Sequence, residues 1–117
     1  MKEITIKNLA EIEALEMNVW AWIFNLKPGV DWDKSSANFV ELPPLAQWFS
    51  YHYHDAKEEI FYIISWNWVI KTASGEVSVK AWDLMHFPAG KAWTHVIKNT
   101  SENEKLVYID FGTKPET

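Results

Sequence analysis

Four side chains in this sequence have the types and spacing to grip one transition-metal ion: His52, His54, Glu59 and His95. His52 and His54 stand two apart, so on an extended strand both imidazoles leave the same face and can close on one ion. Glu59 opens the run EIFYIIS, in which Glu59, Phe61 and Ile63 share a face. A carboxylate among large apolar neighbours is costly unless something offsets its desolvation, and a bound cation does so. His95 stands well downstream in WTHVIKNT, on a face shared with Trp93, Ile97 and Asn99. Three imidazoles and one carboxylate form a donor set suited to iron, manganese, nickel, copper or zinc, with coordination positions left for water or substrate.

The composition narrows the chemistry around that set. There is no cysteine, which removes disulfide frameworks, thiolate metal sites and thiol catalysis together. The eleven basic residues are all lysine and face sixteen acids, so the chain has no guanidinium fork for phosphate and carries a net charge of −5. Nucleic acid is not an expected partner. No apolar run reaches the length of a bilayer, and acids interrupt the apolar positions of the first nineteen residues. A cytoplasmic protein without a membrane partner is the expectation.

The elements that must position the four residues are short strands. Residues 1–19 read as a short strand and then one or two helical turns, and residues 1–35 as an N-terminal flap with outer strands. Over residues 36–117 the runs ANFVEL, QWFSYHYH, EIFYIIS, VIKTA, EVSVKA, WTHVIKNT and KLVYIDFG alternate with turn chemistry. The breaks fall at Pro43-Pro44, at 55–58, at Ser74-Gly75, at Phe87-Pro88-Ala89-Gly90 and at 101–104. Strands of this number and length, without competing helical periodicity, predict an all-β sandwich or closed barrel in one domain of 117 residues.

At the four candidate residues the sequence resembles the cupin superfamily. The family's first motif is HxH, three or four residues, Glu, six residues and Gly; here it reads His52-Tyr53-His54, DAKE, Glu59, IFYIIS and Trp66. The second is Gly, five residues, PxG, a short gap, His, three residues and Asn. Here it reads Trp82, DLMHF, Pro88-Ala89-Gly90, KAWT, His95, VIK and Asn99, with a gap before His95 longer than the commonest form. More narrowly, the chain resembles small single-domain bacterial cupins of the cupin_2 type, over roughly residues 36–112. The resemblance implies a double-stranded β-helix, or jelly-roll barrel, with His52, His54, Glu59 and His95 as ligands of one divalent metal ion. It also implies a homodimer, for which the N-terminal segment MKEITIKNL is the candidate arm. Glu58 fits the shorter motif spacing, but Glu59 leaves six residues before position 66.

Other polar residues have plainer readings. His86 occupies no motif position and reads as a surface or loop histidine, and Asn99 as an amide that holds loop backbone. Tyr51, Tyr53, Tyr62 and Tyr108 read as packing residues with wet tips. Phe49, Phe61, Ile63, Met85, Phe87 and Ile97 are expected to form an apolar barrel wall.

The tryptophans depart from ordinary usage, with eight of them against four glycines. Trp66 and Trp82 stand where the motifs have glycine, and Trp20, Trp22, Trp32, Trp48, Trp68 and Trp93 stand where glycine would also be natural. SerTrpAsnTrp, with Trp66 and Trp68, is expected to form the tight hairpin turn joining EIFYIIS to VIKTA, and such turns commonly demand a positive φ that glycine adopts freely and tryptophan only with strain. The pattern suggests glycine positions filled by tryptophan, through replacement or through a glycine codon read as tryptophan. The alternative is an aromatic surface for carbohydrate or self-association.

Two functional classes follow. In one, the metal serves an enzyme of dioxygenase or isomerase type acting on a small organic molecule. In the other, the same barrel binds or senses a small ligand or sugar without turnover, a reading favoured by the lack of any evident spare acid or base.

Overall fold

In a computed structural model the described residues are 4–19, 22–46, 54, 56–65 and 67–114. They form nine strands: β1 (Leu15–Val19), β2 (Trp22–Asp31), β3 (Ser35–Leu42), β4 (Glu59–Ser65), β5 (Asn67–Thr72), β6 (Gly75–Lys80), β7 (Leu84–Phe87), β8 (His95–Lys98) and β9 (Leu106–Thr113). Two short 3-10 turns, Leu9–Glu11 and Lys91–Trp93, are the only helical pieces among the described residues. Every strand pairing is antiparallel, in a six-stranded sheet of order β1-β2-β3-β9-β4-β7 and a three-stranded sheet of order β6-β5-β8. Among the described residues no helix is long and apolar enough to cross a membrane.

Alternation builds the core. In β4 the buried residues are Glu59, Phe61 and Ile63, every second position, as the pleat requires. They join Val40 and Leu42 of β3, Ile70 of β5, Ile97 of β8, and Leu106 and Tyr108 of β9. Each such aliphatic or aromatic side chain contributes about 1.5–3 kcal/mol on full burial. The ladder between β4 and β9 then fixes the site, for it sets Glu59 opposite Gly112 and Phe61 opposite Asp110.

Several sequence expectations change. The N-terminus runs in the other order: residues 4–8 form no strand, Ile4 and Ile6 are exposed, and the 3-10 turn precedes β1. DLMHF contains a strand, β7, so Phe87 lies in the sheet and the loop begins at Pro88. The segment QWFSYHYH lies outside the described residues except for His54. Of the tryptophans, Trp82 has a φ of 74°, and Leu45 is the other non-glycine residue with positive φ among those described. The turn at Trp82 is closed by Asp83 N–H donating to the Lys80 carbonyl at 3.0 Å, which puts Trp82 at the third position, where a type II turn takes glycine. Trp68 does not meet its expectation: it lies in β5, with its backbone opposite Val79, and has no positive φ. Trp66 lies outside the described residues.

Candidate metal centre

β4, β8 and β9 converge at one carboxylate. Glu59 is 3% exposed and His95 1% exposed. His95 Nε2 lies 2.9 Å from Glu59 Oε1, and His54 Nε2 lies 3.1 Å from the same oxygen. The turn Lys91–Trp93 places His95, whose Nδ1 donates to the Trp93 carbonyl at 2.8 Å. A carbonyl can only accept, so this contact fixes a proton on Nδ1 and directs Nε2 at the carboxylate. Phe87 stacks on the His95 ring at a centroid distance of 3.8 Å, and Phe61 meets it edge-on at 5.6 Å. The imidazole is therefore held in orientation and in tautomer.

Glu59 stays ionised. Burial pushes its carboxyl up, but hydrogen bonds from His95 and Asp110 and the nearby histidines outweigh this and bring the pKa down to about 2. Asp110 shows the opposite balance. Burial, the Glu59 charge and the hydrogen bond to Glu59 raise it to about 8, with Lys57 opposing. Asp110 thus holds a proton against Glu59 at neutral pH, and its Oδ1 is buried without a hydrogen-bond partner. Tyr108, fully buried beside these two acids, has its phenol raised well above the usual 10.0 by burial and then by their charge.

A cation fits this arrangement. With Nδ1 carrying its proton, His95 Nε2 faces an ionised oxygen, and the two attract only through a second proton or an ion between them. Two ligand atoms about 2.1 Å from one ion and at right angles to each other lie about 3.0 Å apart, close to the 2.9 and 3.1 Å observed here. The nitrogen and carboxylate donors suit a borderline divalent ion. Among the described residues, no three His, Asp or Glu side chains form a complete metal-holding group as they stand. Of the four expected ligands the structure brings together His54, Glu59 and His95, while His52 lies outside the described residues.

The remaining expectations sort as follows. His86, on β7, is exposed and lies 2.7 Å from Glu58, the motif's other glutamate, on the barrel exterior. Asn99 is a fastener: its Nδ2 lies 2.7–3.1 Å from the carbonyls of Glu104, Pro43 and Leu42, and its Oδ1 accepts from Ser101 N–H at 3.0 Å. Phe61, Ile63, Phe87 and Ile97 are buried and Met85 packs against them; Phe49 lies outside the described residues. A cavity of about 230 Å³ opens beside Met85 and Phe87. A larger one of about 320 Å³, under Ile6 and against β2 and β3, has Lys7 as its one ionisable lining residue and no histidine in its lining. The sequence reading missed Asp110. The signal available was its place two residues after Tyr108, on the strand face that meets Glu59.

No protein-family model matches the sequence, and no curated protein matches it. Solved structures do match in fold. A sugar phosphate isomerase from a cupin superfamily, from Silicibacter pomeroyi, aligns with a TM-score of 0.78 at 22% identity, over 92% of this chain and 74% of that one. A predicted oxalate decarboxylase from Thermotoga maritima aligns at 0.81 with 19% identity, over 97% and 100% of the two chains. An uncharacterized conserved protein with a double-stranded β-helix domain, from Klebsiella pneumoniae, aligns at 0.75 with 14% identity, over 95% and 90%. With two antiparallel sheets, motif residues meeting at one buried carboxylate and these likenesses, the chain has the cupin fold, a double-stranded β-helix.

Proposed function

We propose that this protein is a metal-dependent enzyme of isomerase or dioxygenase type, holding one divalent transition metal on His54, Glu59 and His95 with His52 as a fourth ligand. The observation that carries the reading is the meeting of two imidazole Nε2 atoms at one ionised, buried oxygen, with the His95 tautomer fixed by the Trp93 carbonyl. A divalent ion bound there supplies Lewis-acid polarisation of a carbonyl or carboxylate oxygen. The chain's own part is to hold that centre rigid and dry. Phe87 and Phe61 fix the His95 ring and keep water from one side of it, and Asp110 keeps a proton against Glu59.

The substrate in this reading is a small organic anion. One protein with the same fold is described as a sugar phosphate isomerase and another as a predicted oxalate decarboxylase, which supports that class. A homodimer in the cytoplasm belongs to the same proposal, and the exposed Ile4 and Ile6 give the N-terminal arm an apolar side to bury. Metal content by mass spectrometry on tag-free protein tests the centre: near one equivalent is expected, with loss in both His52→Ala and His95→Ala. No metal after reconstitution with Fe, Mn, Ni, Cu and Zn leaves only a binding barrel. Turnover assays on small phosphorylated and carboxylated compounds then separate enzyme from binding protein.

A further inference from the structure

We propose that Lys57 is the anion-binding residue of this site, its ammonium seated on Gly112 so as to receive the carboxylate or phosphate of the substrate. The inference deepens the proposed function and rests on its placing of the reactive centre at Glu59.

Three observations carry it. First, Lys57 lies over the backbone of β9 at the strand position opposite Glu59. A Cβ built on Gly112 would overlap Lys57 Cε, and it would lie 2.8 Å from Nζ and 3.5 Å from Cδ. Gly112 sits opposite Glu59 in the β4–β9 ladder and on the same face of β9 as Asp110 and Tyr108. Only a residue without a side chain lets the lysine stem lie there. Second, the stem's origin is fixed. Thr113 N–H donates to the Glu58 carbonyl at 3.0 Å and Glu58 N–H donates to Thr113 Oγ1 at 3.0 Å, so the chain next to Lys57 is fastened to the end of β9. Third, Lys57 is half-buried as a residue, and among the described residues its ammonium makes no hydrogen bond or ion pair, although it is near enough to Asp110 to oppose the rise of that acid's pKa.

An unpaired ammonium on a half-buried lysine beside a ligand cluster is placed to form a charge-assisted pair with an anionic ligand group. Arginine, the usual residue for this task, is absent from the chain. His54 and His95 are engaged with Glu59, which leaves Lys57 as the cation beside the centre, among the described residues, able to take a substrate's charge.

The test is calorimetric titration of metal-loaded protein with 2-phosphoglycolate, inorganic phosphate and glycolate, in wild type, Lys57→Met, Lys57→Arg and Gly112→Ala. Metal content is measured in each sample. Lys57→Met should weaken binding of the preferred anion at least tenfold with metal content unchanged, and Lys57→Arg should stay within about threefold of wild type. Gly112→Ala keeps the charge but displaces the ammonium, and should fall between them. The phosphate and glycolate arms tell which anionic group the lysine takes. Equal affinity in wild type and Lys57→Met, or no binding of any probe by wild type, overturns the proposal. If wild type holds no metal, the same titrations on metal-free protein still decide the role of Lys57, apart from the fate of the metal reading.

Discussion

Two glutamates are buried to nearly the same degree, Glu59 at 3% exposure and Glu41 at 5%, and they have opposite surroundings. Glu41 of β3 is met by lysines, one to each oxygen: Lys27 Nζ lies 3.1 Å from Oε1 and Lys105 Nζ 2.5 Å from Oε2. Burial raises its pKa, the lysines outweigh that, and the net shift is downward. Glu59 is met by imidazoles on one oxygen and by a protonated acid. An ammonium carries no lone pair and so can only neutralise its partner. An imidazole can give up its proton and ligate a cation alongside the same oxygen. Burial of a carboxylate therefore does not mark a reactive site. The kind of cation beside it does.

The largest effect that separates the two is on metal. Glu59→Gln keeps the shape of the side chain and removes the charge, and it should lower metal affinity by at least a hundredfold, read as occupancy after dialysis against a weak chelator. Glu41→Gln should leave occupancy at the wild-type level. The same contrast appears in thermal melts. Metal at about a hundred times its Kd stabilises a binding-competent chain by about 2.7 kcal/mol, a gain expected in Glu41→Gln and absent in Glu59→Gln. Equal metal loss in both variants would break the comparison.

The pH dependence of the metal-free protein is next in size. Asp110 has its folded pKa raised to about 8 from the usual 3.8, so between about pH 4 and 8 the folded chain holds a proton that the unfolded chain lacks. Its contribution to stability is therefore lost as pH rises through that window, with a slope approaching about 1.4 kcal/mol per pH unit. Glu59 is lowered to about 2 from 4.5, so its contribution is already complete above about pH 5 and is lost only toward pH 2. Glu41, also lowered, adds no slope there. Urea melts from pH 5 to 8 should show stability falling in wild type and Glu41→Gln, and flat in Asp110→Asn. A slope that survives in Asp110→Asn assigns it elsewhere.

Neither buried pair was fully legible in the sequence, for different reasons. EIFYIIS announces Glu59 because its alternation with Phe61 and Ile63 is local, and the cupin spacing of HxH, Glu and the distant His95 singles out that glutamate as the expected one. ANFVEL gives no such sign for Glu41. That residue stands on the face opposite Val40 and Leu42, and it is buried by Lys27 of β2 and Lys105 of the loop before β9, contacts set only by the sheet order. Asp110 was hidden because an acid in an alternating strand reads as outward-facing until the β9 register puts it opposite Phe61. β7 was hidden because four residues, two of them exposed, carry too little periodicity. The glycine reading of Trp82 was legible because the second motif has glycine at that position, and its φ of 74° agrees, whereas the positive-φ turn expected around Trp68 was misplaced because its position depended on where β5 begins. Trp82→Gly serves as a control remote from both glutamates: relief of the left-handed backbone, less the entropy of glycine in the unfolded chain, should stabilise by about 1 kcal/mol and leave metal content unchanged. A lower Tm in Trp82→Gly would sink the glycine reading.

The smallest expected difference concerns salt. Lys105 is largely exposed, with 63% of its side chain accessible, so water and ions reach the Glu41 pair from one side. The His95–Glu59 contact is closed, its side chains 2% and 4% accessible. Raising salt from 0.1 to 1 M shortens the screening length from about 10 Å to about 3 Å, which weakens open pairs and hardly touches enclosed ones. In metal-free protein at pH 6, Glu41→Gln should cost about 1 kcal/mol in low salt and a few tenths less in high salt. The cost of Glu59→Gln should change little with salt, since both side chains of the His95–Glu59 pair are almost closed to solvent. Parallel salt dependence in the two variants would mean that Glu59 is as open to solvent as Glu41, and the separation between a neutralised glutamate and a reactive one would then lose its physical basis.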